Sequence, residues 1–373
     1  MYDLSEDAEK TFDEFMEKGY SDGLPIIPPT RARVDRMLEF TDRKPDDSLG
    51  EVPPSEYEAT VESVATNAVM AGCKPMYFPV VVMEIETLLS MPNLRGAIAT
   101  TGCVWPFAVV NGPIAKEIGL YSSWGVLGTG PFHRANLTIG RTMTFVIQNV
   151  GKSVPGISEK KPAWNLGRFG LCIAEAEAGM EPWEPLHVEH GFKKDTSTVT
   201  VFDEVNLGRY EIRAGRGSGI FELDMRRKVK RLIEVQTGFE QPSGFPVGNP
   251  SLLIMGPERV KRYAAQGWSK QDLKEFLYEN CRSNPQEFYK DYPEEMQKDL
   301  MKTVFASTPE WMRYSTSLPL FPPPENQWIV VSGARADEIW CVPTHHLDHH
   351  AFIKPITLAD GTPAKSVYDF KRK

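Results

Sequence analysis

Cys103 stands in "ATTGCVWPFAVVNGP", between two β-rich runs, and is the residue of this chain best suited to nucleophilic or thiol-exchange chemistry. Site residues collect on loops at strand ends, and the thiolate, not the thiol, is the reactive form. Asn111 and the backbone after it would donate hydrogen bonds to developing charge, as oxyanion-stabilising groups do. Cys73, in "MAGCKP", is the second thiol of interest. If the two met in space they would form a redox pair, or a nucleophile with a resolving thiol. Locally, Cys73 reads better as a packed residue: a helix carboxyl terminus raises a thiol pKa, although Lys74 beside it works the other way. Cys172, Cys281 and Cys341 fall in apolar or helical runs and read as core.

Three further groupings offer other chemistry. "GVLGTGPFHRAN" followed by a predicted helix has the ingredients of an anion cradle: Gly128 and Gly130 for close backbone approach, an Asn136 cap, and Arg134 and Arg141 for charge. It lacks both the P-loop Gly-Lys-Ser/Thr and the dinucleotide GxGxxG spacing. In "CVPTHHLDHHAF", His345/His349 and His346/His350 have the i, i+4 spacing of helical ligands for Zn²⁺, Ni²⁺ or Cu²⁺, with Asp348 to ligate or orient a ring. Pro343 and Pro355 favour a short loop there, and no HExxH is present. "EAEAGMEPWEPLHVEHGF" places Glu175, Glu177, His187 and His190 close in sequence, a set able to do acid–base work; a solvated edge of an interface between domains is the slightly stronger reading.

The elements that must position these residues follow from periodicity. "EDAEKTFDEFMEKG" and "RVDRMLEF" read as helices flanking the Pro-rich "DGLPIIPPT". "SEYEATVESVATNAVMAG" reads as a helix with Ser55 and Glu58 as its capping box, followed by a helix from Pro79. "RGAIATT" and "FAVVN" read as short β-runs, and "LCIAEAEAG" fits strand or helix. "STVTVFDEV", "RYEIRAG" and "GIFELD" read as strands, and "DMRRKVKRLIEV" and much of 267–300 as helix. "FAVVNGPIAKEIG" and "SLLIMGPERVKRYAAQG" share one form, strand then Gly-Pro then helix, and "QWIVVSGA" ends a third strand at a glycine. That predicts an α/β fold of mixed sheets with flanking helices in two packed subdomains, with loops gathered at strand carboxyl ends. The expected division is an amino-terminal arm (1–45), an α/β domain with the cysteine site (46–195) and a second α/β domain (196–373).

Bulk composition narrows the partners. The chain has 373 residues, 41% hydrophobic and 25% charged, as soluble globular proteins do. A net charge of −8 argues against nucleic acid, and no run of 18 apolar residues offers a membrane span. The acidic start "MYDLSEDAEKTFDEF" has no apolar stretch, so a cytoplasmic location is expected. Five cysteines without a CxxC pair read as free thiols.

At "ATVESVATNAVMAGCKPMYFPVVV", "VVNGPIAKEIG", "ANLTIGR", "NVG" and "EPWEPLHVEHGF" the chain resembles an uncharacterised bacterial family related to the UGSC-motif (seleno)protein group. The resemblance covers most of roughly residues 20 to 200, and more loosely "GWSKQDLKEFL" and "VVSGA". It implies thiol or selenol chemistry on a small molecule, and it raises the standing of Cys73, Cys103, Asn111, Asn136 and Arg141. The UGSC tetrapeptide itself is absent; "AGC" at 71–73 is a different sequence.

The resulting expectation is a cysteine-dependent enzyme, an oxidoreductase or lyase, acting on a small anionic substrate by thiol addition, exchange or redox chemistry. Cys103 attacks, Cys73 assists, Asn111 stabilises charge, and Arg134 or Arg141 with Asn136, Gly128 and Gly130 holds the substrate. A metal-dependent lyase or hydrolase built on His346 and His350 is one alternative. A non-catalytic small-molecule-binding protein is the other. The expected cofactor is a transition metal or none, and the expected partners are the substrate and, in a homo-oligomer, a second copy.

Overall fold

The computed structural model describes residues 8–92, 94–99, 105–161, 166–170, 172–205, 211–213, 251–284, 290, 293–302, 315–334, 338–343 and 351–371. In chain order these form helices α1 (Ala8–Glu17) and α2 (Arg31–Leu38), strands β1 (Ser48–Val52) and β2 (Tyr57–Thr60), and helices α3 (Val61–Ala71), α4 (Phe78–Leu89) and α5 (Leu94–Ala99). Strand β3 (Trp105–Asn111), helices α6 (Pro113–Glu117) and α7 (Arg134–Asn149), strand β4 (Cys172–Ala174) and helix α8 (Leu186–Glu189) come next. Strands β5 (Thr198–Val205), β6 (Glu211–Arg213) and β7 (Ser251–Met255) precede helices α9 (Pro257–Ala265) and α10 (Lys270–Asn280). Strand β8 (Arg282–Ser283), helix α11 (Glu294–Lys302) and strands β9 (Leu318–Pro319), β10 (Trp328–Val331), β11 (Glu338–Pro343) and β12 (Ala351–Pro355) complete the set.

An α/β fold with mixed sheets is what these elements make. Two four-stranded sheets have the orders β4-β3-β5-β12 and β10-β7-β11-β6. They match strand for strand. In each, a central strand (β3, β7) has a parallel neighbour on one side (β4, β10) and an antiparallel one on the other (β5, β11). An antiparallel edge strand closes each sheet, and here the two sheets exchange chain: β6 follows β5 but joins the second sheet, while β12 follows β11 but joins the first. Strands β5 and β12, both beyond residue 195, thus complete the sheet that β3 begins.

Alternation along the strands explains the layering. Phe107 and Val109 of β3, Ile173 of β4, Leu252 and Ile254 of β7 and Val330 of β10 share one buried cluster, so the two sheets pack face to face. The intervening residues turn outward. Ala108 and Val110 meet α3, α4 and α7 in one cluster, and Leu253, Met255, Ile329 and Val331 meet α9 and α10 in another. The order is helices, sheet, sheet, helices. Strands buried on both faces read as unbroken apolar runs, as "PFAVV" and "SLLIM" do. Among the described residues no helix is long and apolar enough to cross a membrane.

Local expectations fail at three places. "RGAIA" is helical, because Leu94, Ala97 and Ile98 bury one face at i, i+3, i+4 spacing. Helix α3 begins at Val61, with Thr60 as its cap accepting from Ser63 N, and the expected Ser55–Glu58 capping box lies instead in the β1–β2 hairpin. Helix α7 begins at Arg134 after His133, so Asn136 is not its cap. "GIFELD" and "DMRRKVKRLIEV" lie outside the described residues.

Candidate functional site

Parallel pairing brings the carboxyl ends of β3 and β4 together, and likewise those of β7 and β10. Ligands of open α/β sheets bind outside such ends. Here the two sets of ends converge and are tied to each other. Ala174 and Val331 are the last residues of β4 and β10, and Glu175 and Ser332 follow them. Glu175 Oε1 accepts from Val331 N–H at 3.0 Å, while Ser332 Oγ donates to the Ala174 carbonyl at 2.8 Å. Ala176 N–H donates to the Val331 carbonyl at 2.7 Å. The side chain after each strand therefore grips the backbone of the opposite one.

Outside this clasp lies a cavity of about 330 Å³, lined from both halves. Each Gly-Pro turn feeds it a helix start: Gly112 and Lys116 from α6, Pro257 and Lys261 from α9. Gly112 is required at its turn, since φ is +88° and a Cβ would lie 2.6 Å from Ser197 Cα and the Thr196 carbonyl. Ser197 Oγ in turn accepts the Ile114 N–H of α6.

Three carboxylates line the cavity: Glu175, Glu177 and Glu258, the last 3.4 Å from Lys261 Nζ through its Oε1. Glu175 is 5% exposed. Its Oε2 accepts from Asn111 Nδ2 at 2.6 Å and from Leu186 N–H at 2.7 Å. Burial holds its pKa above the usual carboxylate range, against the opposing pull of Lys270 and of the hydrogen bonds from Val331, Leu186 and Asn111. Glu177 Oε1 accepts from Gly112 N–H at 2.6 Å, and its Oε2 lies 3.8 Å from Lys116 Nζ. Asn111, expected as an oxyanion donor, spends its amide N–H groups on Glu175 and Glu177.

The other expected site residues are dispersed. Cys73 is buried, its Sγ 3.4 Å from Thr142 Oγ1, and burial pushes its pKa up to about 11. Cys172 and Cys281 are buried as expected. Cys103 lies outside the described residues; Trp105, two residues later in the chain, opens β3, and the strand's rise of about 3.3 Å per residue separates it from Asn111 by roughly 20 Å. Arg134 donates two hydrogen bonds to the Gly72 carbonyl that closes α3. Arg141 forms a two-pronged pair with Asp22, 2.7 Å for each bond, and also reaches the Leu24 and Pro25 carbonyls, so it fastens the amino-terminal arm. Asn136 brackets the Tyr121 backbone, accepting its N–H and donating to its carbonyl. In the glycine loop, Ser122, Ser123 and Trp124 line the cavity, whereas Gly128 and Gly130 do not.

His187 and His190 do not line the cavity. His187 is buried with Nε2 3.4 Å from the Lys194 carbonyl. His190 stacks on Trp328 at 4.4 Å, and burial lowers its pKa. His345, His346, Asp348, His349 and His350 lie outside the described residues. Among the described residues no group of three or more His, Cys, Asp and Glu side chains could hold a metal ion.

Sequence reasoning missed Lys116, Lys261 and Trp124. The signal for the lysines was the twice-repeated strand–Gly-Pro–helix unit, each with a lysine in its opening turns. Comparison with protein-family models, curated proteins and solved structures returns no match.

Proposed function

We propose that the protein is an enzyme that binds a small organic anion in the crevice at the carboxyl ends of the parallel strands of the two sheets. The carrying observation is the convergence of both halves on one cavity, with Lys116 and Lys261 at it and Glu177 oriented inside it. Lys116 faces Glu177 and Lys261 faces Glu258 across gaps of 3.8 Å and 3.4 Å, and both extend into solvent, from where they supply charge for a carboxylate or phosphate of the substrate. Glu177, fixed by the Gly112 N–H, is the group that exchanges a proton with the bound molecule. Titration calorimetry with short mono- and dicarboxylates and with inorganic phosphate tests this. Saturable binding weakened at least tenfold in a Lys116→Ala/Lys261→Ala variant, and retained in Glu177→Gln, supports the reading. Absence of binding by every probe sinks it.

Thiol chemistry at Cys103 is the second reading, and one observation favours it. The Trp105 ring carries Lys161 Nζ at 5.0 Å and Arg168 Cζ at 4.9 Å from its centroid. Both cations pair with Glu159, and two cations against one carboxylate where β3 begins favour a thiolate nearby in the chain. The resemblance to relatives of the UGSC-motif group supports the same reading.

A further inference from the structure

Trp124 is 64% exposed although it lines the crevice, whereas Trp105 and Trp183 are 1% and 4% exposed. Other large apolar side chains are as exposed, Phe132 and Ile157 among them, but of these Trp124 is the one that lines the crevice. The ring does not sit on a free loop tip. Two residues before it, the Ser122 carbonyl accepts the Gly333 N–H at 2.9 Å. Two residues after it, Val126 is buried in the layer between the sheets. Asn136 fixes Tyr121 just upstream. The backbone is therefore anchored on both sides of an indole that shares the crevice with Lys116 and Lys261. Ala115, Ala174, Ala176, Ala178 and Ala334 also line it with small apolar side chains.

We infer that the molecule held in this crevice is a small aromatic carboxylate, with its ring stacked on Trp124 and its carboxylate directed to Lys116 and Lys261. This rests on the crevice binding an organic anion and adds the substrate class. Aromatic stacking adds roughly a two- to tenfold gain in affinity beyond area burial.

Benzoate, cyclohexanecarboxylate and acetate, titrated calorimetrically into the full chain, separate the possibilities. Cyclohexanecarboxylate matches benzoate in size and charge but is not planar. Benzoate should bind more tightly than cyclohexanecarboxylate, Trp124→Ala should remove that preference, and Trp124→Phe should keep most of it, with acetate affinity the same in all three proteins. Equal affinity for the two ring acids, or an unchanged benzoate affinity in Trp124→Ala, overturns the inference. Lysine-dependent binding of acetate with no aromatic preference overturns it while leaving the anion reading standing. No binding of any of the three overturns both.

Discussion

Glu175 and Ser332 occupy equivalent places at the ends of β4 and β10, and each bonds the backbone of the other's strand. The arrangement joins the two sheets at the edge of the cavity. Its energetics should be unequal. Ser332→Ala removes one neutral hydrogen bond and should cost about 1 kcal/mol. Glu175→Ala strands three buried donors, from Val331, Leu186 and Asn111, and should cost about 3 kcal/mol or more. Urea unfolding of both variants checks this, and losses of similar size in the two would contradict it.

Two glycines with positive φ separate local strain from crowding. Gly112 sits at φ +88° with backbone atoms 2.6 Å from where a Cβ would stand, and Gly119 at φ +71° has open space there. Gly119→Ala should cost about 1 kcal/mol, the left-handed penalty alone. Gly112→Ala should cost more than about 2 kcal/mol, because the Ser197 backbone must also move. Denaturation midpoints of the pair measure the difference.

Much of the fold was legible because it depends on short-range pattern. The apolar runs, the Gly-Pro turns and the helical periodicity of Val61, Val64, Ala65 and Ala68 all follow from neighbours in sequence. The short helix at Leu94–Ala99 was not, since six residues of mixed propensity take their conformation from packing. The strand exchange was not either, because β5 pairs with β12 far along the chain, as Ile353 with Thr200. For the same reason Arg141 read as an anion ligand: nothing local signals that its partner is Asp22, 119 positions away. The Glu175–Glu177 stretch was recognised as chemically capable. Which of its neighbours joined the cavity depended on tertiary placement, which brought in Lys116 and Lys261 and left His187 and His190 out.

Glu84 should govern part of the pH dependence of stability. It is fully buried on α4, neither carboxylate oxygen has a hydrogen-bond partner, and burial pushes its pKa from 4.5 up to about 8. The folded protein thus keeps a proton that the unfolded chain releases, and stability falls as pH rises from 4.5 toward about 8. Glu84→Gln abolishes this contribution, so its stability relative to wild type should rise by a few kcal/mol across that window and level off above it. Urea unfolding at a series of pH values reads the trend, and a difference that does not change with pH would contradict it.

The thiols should divide sharply. At about pH 7.5 a group of pKa about 11 is ionised to only ~0.03%. Cys73 should therefore alkylate slowly, and the buried Cys172 and Cys281 should do the same. On the thiol reading Cys103 reacts first, and Cys103→Ser abolishes turnover with fold and ligand affinity intact. Mass-spectrometric mapping of iodoacetamide labelling against time ranks the four, and a Cys103 as slow as the other three would count against that reading.

Where the ligand sits is the central claim, and alanine methyl groups can report it. Ala115, Ala174, Ala176, Ala178 and Ala334 line the crevice, while Ala65 and Ala68 lie in the helical layer beyond the first sheet. With ¹³C-labelled alanine methyls, a carboxylate titration should shift the first five along saturable curves with one shared dissociation constant and leave Ala65 and Ala68 unmoved. Shifts confined to other methyls, or none at saturating ligand, would contradict a binding site at these strand ends.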